Sequence, residues 1–171
     1  MSRIVFGLLF ALTIGAFLAE NLLYFPLSVS YMKELAAGAP LLDMRPGYTP
    51  DDVYHLFDTL GQSGRGAYLR LLWTIDLLLP ALSGLFLSSA VRRGALRAFR
   101  SIPLLAALCD YAENIVVTIL LLRYPMHEPA FVQLASLFTV AKLVLYASGL
   151  LLAIGGFLER VMNRHLKRVK T

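Results

Sequence analysis

The sequence predicts an all-α integral membrane protein, a four-transmembrane-helix bundle with N-in/C-in topology, and three observations carry that prediction. Apolar residues make up 58% of the 171 and charged residues only 16%, with a mean hydropathy of +0.68, well outside the range of soluble domains. Four apolar runs, at about 4–24, 68–91, 102–123 and 131–157, are each long enough to cross a hydrocarbon core of ~30 Å at ~1.5 Å per residue. Basic residues gather on one side. Arg92, Arg93, Arg97 and Arg100 follow the second run, and Arg160, Arg164, Lys167, Arg168 and Lys170 follow the fourth, whereas Asp43, Asp51, Asp52, Asp58 and Glu128 fall in the other loops. By the positive-inside rule both termini are cytoplasmic. The length suits one domain, residues 1–171, and the compact chain with its clean charge asymmetry points to a bacterial inner (plasma) membrane.

The first run starts one residue after Arg3. It is longer than the apolar region of a secretory signal, and Phe17-Leu18-Ala19 lacks a small-x-small cleavage pattern, so it reads as a retained helix that Pro26 ends or kinks. In the long outer loop between helices 1 and 2, Thr49 is placed as an N-cap, Pro50 at the first helical position and Asp51 and Asp52 in the first turn. Val53, Leu56, Phe57 and Leu60 follow at i, i+3, i+4 and i+7, and Gly61 suits a C-terminal cap. A short amphipathic helix over about 50–60 results. Its polar face is acidic where lipid-surface helices are basic, which favours a lid packed on protein. Gly61-Gln62-Ser63-Gly64-Arg65-Gly66 could offer backbone N–H groups to an anion, but it lacks the ending of a phosphate-binding loop and reads as a flexible connector.

The second run holds Asp76 and Pro80 four residues apart, so the carbonyl that the proline frees is that of Asp76 itself. The third, 102–123, carries Cys109-Asp110-Tyr111-Ala112-Glu113-Asn114 in its middle and ends at the turn Tyr124-Pro125-Met126-His127-Glu128-Pro129. The fourth contains Lys142, with Thr139 and Tyr146 on the same helical face. A tandem helical-hairpin repeat is suggested by Ala19-Glu20-Asn21 against Ala112-Glu113-Asn114. Trp73-Thr74-Ile75 and Ser83-Gly84-Leu85 likewise match Phe138-Thr139-Val140 and Ser148-Gly149-Leu150 at the same internal spacing.

Carboxylates and a lysine inside apolar runs cost several kcal/mol unless paired, protonated or hydrated, which makes them candidate binding residues. Counted from the basic ends of the runs, Asp110 lies ~12 Å in, Glu113 ~16 Å, Asp76 and Lys142 ~21 to 22 Å, and Glu20 ~24 Å. Asp110, Glu113 and Asn114 at i, i+3 and i+4 share one face that must point inward, with Lys142 as partner. The candidate ligand-binding set is Glu113, Asp110, Asn114, Asp76, Lys142, Glu20, Asn21 and Tyr146, around a polar cluster opening toward the outer side. Four of these carboxylates face one lysine, so some are protonated, Arg70 or Arg123 dips in, or a cation or water is held there.

A lone Cys109 and dispersed His55, His127 and His165 give no disulfide, zinc or haem pattern, and no cofactor or metal is specified. The net charge of +5 is explained by topology, and no nucleic-acid motif is present. Three function classes remain. The leading one is binding or carrying a cation, proton or small polar or amphipathic ligand. The second is an accessory or assembly subunit, pairing with a membrane protein partner or as a homo-oligomer through the small residues Ser148, Gly149, Ala153, Gly155 and Gly156. The third, an intramembrane lipid-modifying enzyme, would use a carboxylate base with a hydroxyl among Ser83, Ser136, Thr139 and Ser148, none of which stands in a catalytic motif.

Overall fold

The computed structural model describes residues 2–91 and 96–169. Arg92, Arg93 and Lys170, and the side chains of Arg164, Lys167 and Arg168, which enter the charge asymmetry, lie outside the described residues. The fold is 82% helix, with no strand among the described residues. In chain order the helices are α1 (Arg3–Leu22), α2 (Val29–Leu35), α3 (Pro50–Leu72), α4 (Ile75–Val91), α5 (Ile102–Arg123) and α6 (Pro129–Val169). Single 3-10 turns stand at Leu42–Met44 and Arg97–Phe99. Four helical stretches are long and apolar enough to cross a membrane.

α5 is the centre. Half of its most apolar stretch is buried, against 11% for α1, which leans on α4 at the edge. Ile4, Leu8, Leu12, Phe17 and Leu22 of α1 and Leu137, Val144, Leu151 and Phe157 of α6 face outward, while Glu20, Asp76, Asp110, Glu113 and Lys142 within the long apolar helices are buried. That inversion is what a lipid solvent selects.

The segment before α3 is more structured than a loop. Ser28 caps α2 by accepting from the Tyr31 N–H. Ala37 and Gly38, with φ of 51° and 87°, then turn the chain while the Gly38 N–H closes on the Lys33 carbonyl at 2.7 Å. Met32, Leu41 and Leu42 pack with Val53, Leu56, Phe57 and Leu60 of α3 and Val117 and Leu120 of α5 into one apolar core. This core caps the loop end of the bundle.

Thr49 and Asp52 form a reciprocal capping box at the start of α3, with Pro50 inside the first turn. The helix does not stop at Gly61, however, and 61–66 is not a flexible connector. Gly61 takes φ 60°, ψ −174°, which bends the helix, and the chain resumes helical form to Leu72. Arg65 supplies the missing bond. Its Nη1 donates to the Phe57 carbonyl at 2.8 Å, and its guanidinium lies 4.1 Å from the centre of the Tyr124 ring. The arginine thus completes the kink and does not await an anion.

The run 68–91 is likewise broken, between Leu72 and Ile75. The Thr74 hydroxyl competes for helix carbonyls by donating to Arg70 O at 2.6 Å, and Trp73 Nε1 is drawn to Thr118 Oγ1 at 2.9 Å. α6 continues past 157 to Val169.

At the basic end the helices approach closely around Pro103. A Cβ added to Gly149 would stand 2.8 Å from Pro103 Cγ, and one added to Gly84 would stand 3.1 Å from the Pro103 carbonyl and from Ala107 Cβ. Gly149→Ala is therefore expected to lose on the order of 1–3 kcal/mol through overpacking against a rigid ring. Gly155→Ala, which would meet nothing within 4 Å, should hold or slightly raise the melting temperature. Thermal unfolding of the two variants side by side checks the packing, and equal melting would contradict it.

Candidate functional site

Helical spacing brings Asp110, Glu113 and Asn114 to the inward face of α5, where all three are buried. From α6, Lys142 reaches between the two carboxylates, with Nζ 2.6 Å from Asp110 Oδ1 and 2.8 Å from Glu113 Oε2. One turn earlier on α6, the Thr139 hydroxyl donates to Glu113 Oε1 at 2.6 Å. The partner expected from sequence is the partner found. One ammonium now holds two carboxylates in surroundings where each member is at most 7% exposed.

The chain between α2 and α3 roofs this group. Tyr48 is buried, its phenol donates to Glu113 Oε1 at 3.4 Å, and its N–H donates to Ser136 Oγ at 3.0 Å. Gly47, at φ 138°, lets the backbone come down onto α6 there. Burial and the neighbouring Glu113 carboxylate push the Tyr48 phenol above its usual range, so it remains a neutral donor. Asp43 comes from the same segment. It lies within electrostatic reach of Glu20, Asp76, Asp110, Glu113 and Lys142, and its Oδ1 is buried with no hydrogen-bond partner.

Two further carboxyls approach from the other helices. Glu20 of α1 and Asp76 of α4 are both buried, and each lies within reach of Asp110, Lys142 and Asp43. No hydrogen bond or ion pair among the described residues holds either of them. The Asn114 side chain, 3% exposed, has neither its amide nitrogen nor its carbonyl oxygen engaged. Such orphaned groups are uncommon in a packed interior.

Not every candidate joins the cluster. Asn21 Nδ2 donates to Phe17 O in its own helix. Tyr146 is set at the edge, its phenol 3.2 Å from Ser83 Oγ and 3.5 Å from the Pro80 carbonyl. Arg70 is exposed, and Arg123 pairs with Glu128 at 2.6 Å at the surface, so neither dips in to balance the acids. Ser83 and Ser148 donate to helix carbonyls, Ser136 receives the Tyr48 N–H, and Thr139 serves Glu113. Asp43 and Tyr48 are the contributors that periodicity does not reveal. Their only signal is an acid and an aromatic in the one long loop.

Asp110 and Glu113 thus hold the ammonium of Lys142, and Glu20, Asp43 and Asp76 lie within its electrostatic reach. Uncompensated carboxylates in an apolar interior require protons or another cation. Among the described residues no three His, Cys, Asp or Glu side chains are grouped to hold a metal ion. No protein-family model, curated protein or solved structure matches the chain.

Proposed function

We propose that this is a small multi-pass membrane protein that binds or carries a small cation, proton or amphipathic amine in the acidic cluster beneath Tyr48. The observation that carries this reading is the surplus of acid. Lys142 is already committed to Asp110 and Glu113, while Glu20, Asp76 and Asp43 lie within its electrostatic reach, and Asp43 Oδ1 and the Asn114 side chain are buried without hydrogen-bond partners. In this reading the basic end is cytoplasmic, as the positive-inside rule gives for both termini, and the guest enters from the outer, loop end. The membrane is a bacterial inner membrane, and the chain consists of two hairpins in tandem.

The test is native mass spectrometry of protein extracted gently into nanodiscs, wild type against Glu20→Gln/Asp76→Asn. Neither position holds Lys142, so the ion-paired core stays intact. A discrete small mass carried by wild type and reduced at least tenfold in the variant is the expected result. For a proton guest, wild type should release more protons than the variant on an upward pH step, read with a pH dye. Wild type and variant that are equally bare and release equal protons would leave the cluster as helix-to-helix glue. That second reading, an accessory subunit, draws on the internal satisfaction of Lys142, and a co-purifying membrane protein would support it.

A further inference from the structure

At the opposite end of the molecule, a groove of about 370 Å³ is lined by Phe99, Ile102, Ser148, Leu151 and Leu152. Its one polar lining group, the Ser148 hydroxyl, is already used, donating to the Val144 carbonyl at 2.7 Å. Such a lining favours an apolar occupant. Its rim is different in character. Arg97 and Arg100 flank Phe99 in a 3-10 turn, a geometry in which positions i and i+3 fall on the same side, and both are exposed. No acidic partner holds either arginine among the described residues, and the sequence from Arg92 has no acid before Asp110. Two exposed arginines therefore flank Phe99, which lines the apolar slot, at the start of a stretch long and apolar enough to cross a membrane.

We infer that this groove is a binding site for an anionic phospholipid, with an acyl chain against Phe99, Leu151 and Leu152 and the phosphate-bearing headgroup on Arg97 and Arg100. Charge complementarity selects the occupant. A zwitterionic lipid could enter the same slot but would gain much less from the paired cations. The site is separate from the acidic cluster and independent of what that cluster binds.

The full chain in detergent, titrated with phosphatidylglycerol or phosphatidylcholine and read by native mass spectrometry, tests the inference. Wild type is expected to take up one phosphatidylglycerol with a preference on the order of tenfold over phosphatidylcholine. Arg97→Gln/Arg100→Gln should equalise the two lipids. These side chains are exposed, so the variant should melt with wild type. Ser148→Leu, which fills the slot, should lower retention of both lipids. Equal uptake of the two lipids by wild type, or a preference that survives in the arginine variant, would overturn the site. So would a co-purifying protein in the groove that neither lipid displaces.

Discussion

Lys142→Met is expected to lower stability by about 3–5 kcal/mol at neutral pH, the usual cost of leaving one side of a buried ion pair uncompensated. The methionine approximates the lysine in length, so the loss measures charge more than volume. It strands Asp110 and Glu113, whose oxygens lie 2.6 and 2.8 Å from the ammonium in the native chain. Two consequences separate this account from simple packing damage. Protonating the stranded carboxyls removes the unpaired charge, so the deficit should shrink as pH falls. Adding Asp110→Asn and Glu113→Gln to Lys142→Met should likewise recover most of the loss, because no unpaired charge is then buried and position 113 keeps Thr139 and Tyr48 as partners. Heating in nanodiscs, followed by the labelling of Cys109, reads wild type and both variants. If the triple variant melts no higher than the single one, the ion pair is not what holds these helices.

Phe57→Ala carries the second large effect, about 3–5 kcal/mol for emptying a fully buried aromatic site. Phe57 has no exposed surface and meets the rings of Tyr54 and Tyr124 edge-on at 6.3 and 6.1 Å. It lies in the apolar core shared by Met32, Leu41, Leu42 and Tyr48, so the cavity loosens the segment that covers Glu113. The damage should be local as well as global. Hydrogen exchange is expected to quicken at Tyr48 and across 29–49 well before it changes at the basic ends of α5 and α6. Uniform acceleration along the chain would show that cap and bundle unfold as one unit.

The ion-paired part of the cluster was legible in the sequence because helices are periodic. Three polar residues at i, i+3 and i+4 in an apolar run must share a face, and one lysine in another apolar run is the partner they need. The covering part was not legible. Asp43 and Tyr48 sit in irregular chain, where sequence spacing says nothing about direction, and they reach the site only through the Ala37-Gly38 turn and the positive φ of Gly47. The bend at Gly61 was misread as an end for a related reason. A glycine in left-handed backbone usually closes a helix, and only the tertiary bond from Arg65 to Phe57 O shows that this one continues. The break at Trp73-Thr74 also depends on a distant residue, Thr118, which no local pattern indicates.

Pro103 sits between two glycines, Gly84 on α4 and Gly149 on α6, both too close to its ring or carbonyl to accept even a methyl group without adjustment. A contact that tight on two sides acts as a fulcrum. Helices gripped there cannot slide along α5, since any translation drives proline atoms into backbone, but they can pivot. Any pivot about that contact is widest at the loop end, farthest from Pro103. Under the proposed binding role, a guest would then reach the cluster by a parting of the helices at the loop end, where the Tyr48 segment lies over Glu113.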